Sequence, residues 1–363
     1  MKAAVDDKKH RQQLVKLVTD FSGMEVPTQA LDRLKVPHVL ISASEYRDAA
    51  RQFIWENFKP LEMRHDAWTE PAIKTETEVD LYMAGFPCQP FSSLGKQEGV
   101  MDTKGRGIAA EVCIMRIANL KPRAFILENV VRARTFHGGK FWEVLTNQLR
   151  MLGYTLDDCT MDAICAGTPQ TRNRVYLIGR KGYHSPITIP ASIIEPDLEV
   201  VLDPREPGDN QDNVPWGADG DEIATTRNVR RERERLEAKL KRCYDPKFDI
   251  KKTERVFDVD RGKKNTYEPA DKYLPKKERR IKSSDYAHSS ARIPCLTASR
   301  KYGLWLMSRG RRMRAREALK AQGVRHQEYR WPRLESELFC MAGNAMNFNV
   351  VVWIFEVLLP HLG

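Results

Sequence analysis

The sequence predicts an α/β protein with a mostly parallel sheet and a smaller second module, on three observations. Up to about residue 182, short apolar runs alternate with segments that are apolar at helical spacing. From 186 to 333 that periodicity fades into proline-rich, acidic and then basic sequence. The chain closes on NFNVVVWIFEVLLPHLG (347–363), an apolar helix that has to pack back on the first part. The expected division is therefore 1–185 completed by 334–363, with 186–333 as the second domain.

Taken in order, the expected strands are QLVKLVTDF (13–21), HVLISASEY (38–46), VDLYMAGFP (79–87), AFILENV (124–130) and RVYLIGR (174–180). Helical spacing occupies 27–35, 47–58, 107–120 and 139–152 between them. Strand and helix in repetition imply parallel strands covered on both faces. In such sheets ligands bind beyond the carboxyl ends of the strands. Asp20-Phe21-Ser22-Gly23, Cys88 and Glu128 all fall at such ends, and so on one edge.

Composition limits the function classes. A hydrophobic content of 41% across 363 residues is that of a folded chain with one large core and room for a second. No run of 18 or more residues is uniformly apolar, so no membrane span is expected, and MKAAVDDKKHRQQ lacks the apolar centre of a signal peptide. Seven scattered cysteines read as reduced intracellular thiols, and Cys159 and Cys165 lack zinc-site spacing, so no metal is expected. The net charge of +11 points to a polyanionic partner.

Three segments carry chemistry. In GFPCQPFSSLG (85–95), Pro87 and Pro90 restrict the backbone around Cys88, and Gly85 lets the chain leave its strand. A thiol held so rigidly suits nucleophilic attack better than the inert packing of most cysteines. A thiol hydrolase would need a histidine base, and none of the eight histidines sits in a partner motif. Glu128, closing AFIL, is a partly desolvated carboxyl able to hydrogen-bond a heterocycle; the plainer reading is a cap or an ion pair. In QTRNRVYLIG (170–179), Arg172 and Arg174 alternate with Thr171 and Asn173, which puts two guanidinium forks on one face of a strand's start. An isolated pair of that kind is usually a solvated edge.

Together PCQPFS, ENV and QTRNR resemble, in order and separation, the motifs of the cytosine-5 DNA methyltransferases. DTKGRGIAAEVCIMRIANLKPRAF is similar to the segment joining the first two, RMRAREALKAQGV to the family's penultimate motif, and GNAM (343–346) to its last. The resemblance covers all but 186–290. It implies a Rossmann-like class I S-adenosylmethionine-dependent methyltransferase domain plus a smaller, irregular target-recognition domain, with DNA between them.

The resemblance also implies roles. Cys88 would add to carbon 6 of a cytosine swung out of the duplex, Glu128 would hold its ring nitrogen and amino group, and Arg172 and Arg174 would fix its carbonyl and backbone. Gln89, Ser92, Arg106 and Gln170 would contact substrate. SSLGKQEGVMDTKGRG, punctuated by glycines, would close over the site. For the cofactor, Phe21, Ser22 and Gly23 would face the methionine and ribose, Glu45 the ribose hydroxyls, Tyr46 and Asp66 the adenine, with Pro87, Asn344 and Ala345 completing the pocket. One departure stands out: the family's FxGxG reads FSGME here, with Glu25 in the second glycine's place. Either the turn is reshaped or cofactor affinity drops; the otherwise intact motifs favour reshaping.

Residues 227–242 hold eight basic and three acidic residues, and PKKERRIK (275–282) adds a compact cluster. Both suit phosphate contact, though the first reads equally as a solvated helix face and the second as a nuclear import signal. The expected partner is double-stranded DNA, inside the cell and in the nucleus if the source is eukaryotic. A tRNA substrate for the same chemistry is the rival, and a non-enzymatic DNA-binding relative is the alternative that Glu25 raises.

Overall fold

A computed structural model describes residues 14–68, 78–87, 109–189, 196–207, 256–258, 289–290, 292–298, 304–306 and 309–362. Cα proximity divides the chain into two compact units. The first comprises Met1–Asp162, Asn173–Ser192 and Ala345–Gly363; the second comprises Ala163–Arg172 and Ile193–Asn344. This division and the one drawn from composition differ over 163–172, 186–192 and 334–344.

The first unit is built on seven strands: β1 (Val15–Asp20), β2 (His38–Ser44), β3 (Glu62–Arg64), β4 (Leu81–Gly85), β5 (Ala124–Val130), β6 (Tyr154–Asp162) and β7 (Asn173–Lys181). Their order is β3-β2-β1-β4-β5-β7-β6. The first five run parallel, while β7 is antiparallel to β5 and β6 antiparallel to β7. Each of the five expected strands is present, with ends moved by at most two residues. β3 and β6 were not foreseen. β3 has three residues, and β6 is an edge strand, YTLDDCTMD, whose half-exposed faces leave no clean alternation.

The helices α1 (Val26–Arg33), α2 (Asp48–Phe58), α3 (Ala109–Leu120) and α5 (Lys140–Met151) fill the four expected positions; a short α4 (Arg132–Thr135) follows β5. Burial explains why β5 reads as an unbroken apolar run: Ala124 through Asn129 are all buried, as expected for a strand covered on both faces. On one face Phe125 packs edge-on against Tyr154 with ring centres 5.0 Å apart. Gly179 on β7 makes room for it, since a Cβ there would stand 2.2 Å from the Phe125 ring.

Two helices end the chain, α7 (Glu335–Asn344) in the second unit and α8 (Phe348–Leu358) in the first. Glu335–His361 is long and apolar enough to cross a membrane by length and composition, which the count of uninterrupted apolar residues did not register. The chain breaks between α7 and α8, where Asn347 caps α8 by accepting from Val350 N. Val351, Ile354, Phe355 and Leu358 are fully buried, and α8 packs against α1. Helix α8 is a core element completing the first unit.

In the second unit, β8 (Val256–Asp258), β9 (Ser289–Ser290), β10 (Leu304–Leu306) and β11 (Arg311–Arg312) form a separate sheet in the order β11-β10-β8-β9, antiparallel throughout. Helix α6 (Ala315–Ala321) starts at a reciprocal cap in which the Arg314 amide donates to Glu317 Oε2. The basic segments 227–242 and 275–282 lie outside the described residues.

Candidate active site at the carboxyl edge of the sheet

Parallel strands bring the ends of β1, β2, β4 and β5 to one edge, and antiparallel β7 brings its start there too. The edge is fixed from below by a buried charge cluster. Asp20, ending β1, accepts from Ser44 Oγ (2.6 Å), Arg64 Nη2 (2.6 Å), Tyr82 Oη (3.0 Å) and Arg116 Nε (3.0 Å). One carboxylate thereby ties β1, β2, β3, β4 and α3. No sequence signal marked Arg64 or Arg116, because both partners are distant in the chain. Burial and the Asp20 charge push the neighbouring Cys113 thiol well up, and burial pushes Cys159 up to about 11. Neither is a thiolate nucleophile at neutral pH.

Beyond Asp20 the chain makes a turn with left-handed backbone at alternate residues: Phe21 (φ 54°), Gly23 (φ 56°) and Glu25 (φ 52°). The Gly23 amide donates to Glu45 Oε2 at 3.0 Å and the Arg47 amide to Glu45 Oε1 at 2.9 Å. Burial raises the Glu45 carboxyl, with these two amides pulling the other way. Each oxygen keeps a second lone pair for a hydroxyl donor. Tyr46 next to it is 61% exposed, its ring 5.4 Å from the Arg47 guanidinium. Asp66 accepts the Trp68 amide at 2.9 Å, which orients Trp68 edge-on to Phe21 with ring centres 6.0 Å apart. Trp68 was not among the expected residues; its spacing gave no hint of a meeting with Phe21.

Glu25 takes the left-handed conformation natural to the glycine it replaces and turns its side chain inward. The carboxyl is fully buried, with Thr19 Oγ1 donating to Oε2 (2.8 Å) and Thr28 Oγ1 to Oε1 (2.9 Å). Burial raises it to about 7, the hydroxyls of Thr19, Thr28 and Ser22 opposing. The extra bulk is hidden in the interior, away from the open side of the turn.

β4 releases its chain beside Glu128, since Gly85 pairs with Glu128 across the sheet. A Cβ on Gly85 would stand 2.8 Å from Met346 Cε and 3.4 Å from Glu128 Oε2, so the glycine leaves room for the carboxylate. Arg174 Nε lies 3.1 Å from Glu128 Oε1, both side chains being largely buried. That oxygen has no aligned hydrogen bond among the described residues, so it pairs in charge and keeps its acceptor capacity. Asn129 Nδ2 donates to the Phe86 carbonyl at 3.3 Å, fixing the chain just ahead of Pro87. Cys88, Gln89, Ser92 and Arg106, with the proposed closing loop, lie outside the described residues.

Two of the expected substrate contacts have hydrogen-bond partners in the second unit. Arg172 stands just ahead of the strand, which begins at Asn173. It is buried in the second unit, where Nη1 donates to the carbonyls of Leu296 (3.1 Å) and Gly343 (3.4 Å). Gln170 is fully buried there, its Nε2 donating to the Ala321 carbonyl at 2.9 Å. Both hold loops together. Of the last pair, Ala345 is a buried residue of the first unit and Asn344 an exposed residue ending the second. Among the described residues no cluster of three metal-ligating side chains occurs.

Comparison with known proteins gives these features a family context. Residues 16–359 match the family model described as C-5 cytosine-specific DNA methylase. Type II methyltransferase M.HaeII of Haemophilus aegyptius is 41% identical over 100 residues, covering 28% of this chain and 31% of that protein. Type II methyltransferase M.NgoBI of Neisseria gonorrhoeae is 34% identical over 166 residues, 46% of this chain and 50% of its own length. The chain thus spans about a third to a half of these relatives. The S. pombe Dnmt2 methyltransferase structure superposes with a TM-score of 0.59 at 15% identity, covering 97% of this chain and all of that one. At that identity the likeness is one of fold.

Proposed function

The chain belongs to the C-5 cytosine-specific DNA methylases, and on that premise we propose that it methylates carbon 5 of a cytosine extruded from double-stranded DNA through a covalent adduct with Cys88. The observation that carries this reading is the Glu128–Arg174 pair, set beside the end of β4 three residues before Cys88. Carbon 5 is too weak a nucleophile to accept a methyl group unaided. The Cys88 thiolate adds to carbon 6, forming a C–S bond and moving the ring's electrons onto carbon 5. Glu128 accepts from the amino group with one carboxyl oxygen and, carrying a proton on the other, donates to the ring nitrogen, stabilising the negative charge that builds there. Arg174 holds that carboxyl in place and reaches the base's carbonyl oxygen. Once carbon 5 carries the methyl group, a base takes the carbon 5 proton, the 5,6 double bond re-forms, and the C–S bond breaks to release Cys88 as thiolate.

S-adenosylmethionine fits the edge: Glu45 has spare lone pairs for ribose hydroxyls, and Tyr46 exposes a ring against which adenine can stack. When bound it supplies an electrophilic methyl group. Phe21, Ser22 and Gly23 would line its methionine side, with Asp66 and Trp68 towards the adenine and Pro87 and Ala345 alongside.

DNA is favoured over tRNA because the sequence relatives are named type II methyltransferases. Those named relatives come from bacteria, so we read PKKERRIK as a phosphate contact rather than a nuclear import signal. The test is incubation with methyl-labelled S-adenosylmethionine and either DNA or tRNA. Label is expected in DNA; label confined to tRNA overturns the substrate, and none in either, with DNA still bound, favours the non-enzymatic relative. A duplex containing 5-fluorocytosine should trap the wild type covalently, and a Cys88→Ser protein that still forms the adduct refutes the nucleophile.

A further inference from the structure

Glu25 is the one place where the chain departs from its family's cofactor turn, and the mechanism above gives it no task. Its surroundings are unusual for a carboxyl. Thr19 Oγ1 lies 2.8 Å from Glu25 Oε2 and 2.8 Å from Ser22 Oγ, so the three groups form a chain leading from the interior to the turn. Thr28 Oγ1 holds the other carboxyl oxygen. No described cation pairs with Glu25. On β1 Asp20 is taken by Arg64 and Arg116, on β2 His38 lies against Asp32, and just past β2 Glu45 faces the Gly23 and Arg47 amides. β4 (LYMAG) carries no charge, α1 carries none before Asp32, and α8, packed on α1, carries only the exposed Glu356.

A hydroxyl donates one hydrogen, so the direction of such a chain is set at its buried end. With Glu25 neutral and Oε1 still accepting from Thr28, the proton sits on Oε2, whose O–H donates to Thr19; Thr19 donates to Ser22, and the Ser22 hydrogen is released outward. With Glu25 ionised, its proton having gone to solvent, Thr19 must donate inward, and Ser22 turns its hydrogen inward to Thr19 or to the carboxylate that it also approaches. Resting on the cofactor reading above, we propose that Glu25 is a positioning residue which, through Thr19, decides whether Ser22 can donate a hydrogen bond to the carboxylate of the bound cofactor. Burial places this titration at about 7, inside the physiological range. Affinity is therefore high on the acid side, where Ser22 points outward, and falls on the alkaline side.

Calorimetric titration with S-adenosylhomocysteine tests this without turnover, because that probe's carboxylate stays charged throughout the range. Wild-type affinity is expected to fall roughly tenfold from well below to well above the transition, the worth of one hydrogen bond to a charged group. Glu25→Gln, whose amide always donates, should bind at the wild type's acid-side strength at every pH. Ser22→Ala should bind at the weaker, alkaline-side strength at every pH. Identical pH profiles in wild type and Glu25→Gln overturn the relay and leave the cofactor reading standing. Absence of binding by all three proteins at every pH overturns both. A pH-dependent Ser22→Ala protein also overturns the relay, since a direct charge effect of Glu25 would survive that substitution.

Discussion

At the scale of single residues, the site turns on how few atoms are left unspent. Glu128 and Arg174 are close enough to neutralise each other, yet Oε1 keeps its acceptor capacity. Glu128→Gln should lower kcat by about 10²–10³-fold while leaving S-adenosylhomocysteine affinity unchanged, because the residue acts on developing charge in the base. Equal losses of cofactor affinity and rate would put Glu128 in the cofactor pocket instead. Arg172 makes the contrasting case. Its alternation with Arg174 in QTRNR suggested twin roles, but a side chain's task depends on which carbonyls come near, and Leu296 and Gly343 are more than a hundred residues away. Glu25 lay between these two cases. The sequence identified it as a departure from its family, and only the left-handed backbone and the inward side chain decided how it was accommodated.

At the scale of elements, α8 links the chain's end to its beginning. Its buried face packs on α1, the helix that follows the cofactor turn. Truncating Ile354, fully buried in α8, to Ala should destabilise the first unit by roughly 2–5 kcal/mol from lost transfer energy plus the cavity left behind. Chemical denaturation checks this, and a loss below about 1 kcal/mol would mean the helix is not part of the cooperative core. Strand positions were legible because strands buried on both faces appear as continuous apolar runs, and β5 does so from Ala124 to Leu127. β6 was missed for the opposite reason: an edge strand needs no such run, and its Asp157 is drawn instead to Arg180 on β7. The antiparallel turn of β7 was equally hidden, and it is what delivers Arg174 to the edge that holds Glu128.

At the scale of the whole molecule, the net charge of +11 is the broadest prediction-bearing feature. Binding to a polyanionic duplex should weaken at least about tenfold between about 50 and 200 mM salt, the loss that two neutralised phosphates produce. A salt-independent affinity, measured by fluorescence anisotropy, would show that the basic residues are only a solvated surface. The sequence by itself determined five of the seven strands and the four longer helices before 182 in the first unit, the family, and the candidates Cys88, Glu128, Arg174 and Glu45, because these depend on local periodicity and short motifs. Only the tertiary structure decided the Asp20 cluster, the meeting of Phe21 with Trp68, the burial of Arg172 and Gln170, and the inward turn of Glu25. Each of these joins groups through space, where burial forces every polar atom to find a partner, and adjacency along a chain carries no record of that requirement.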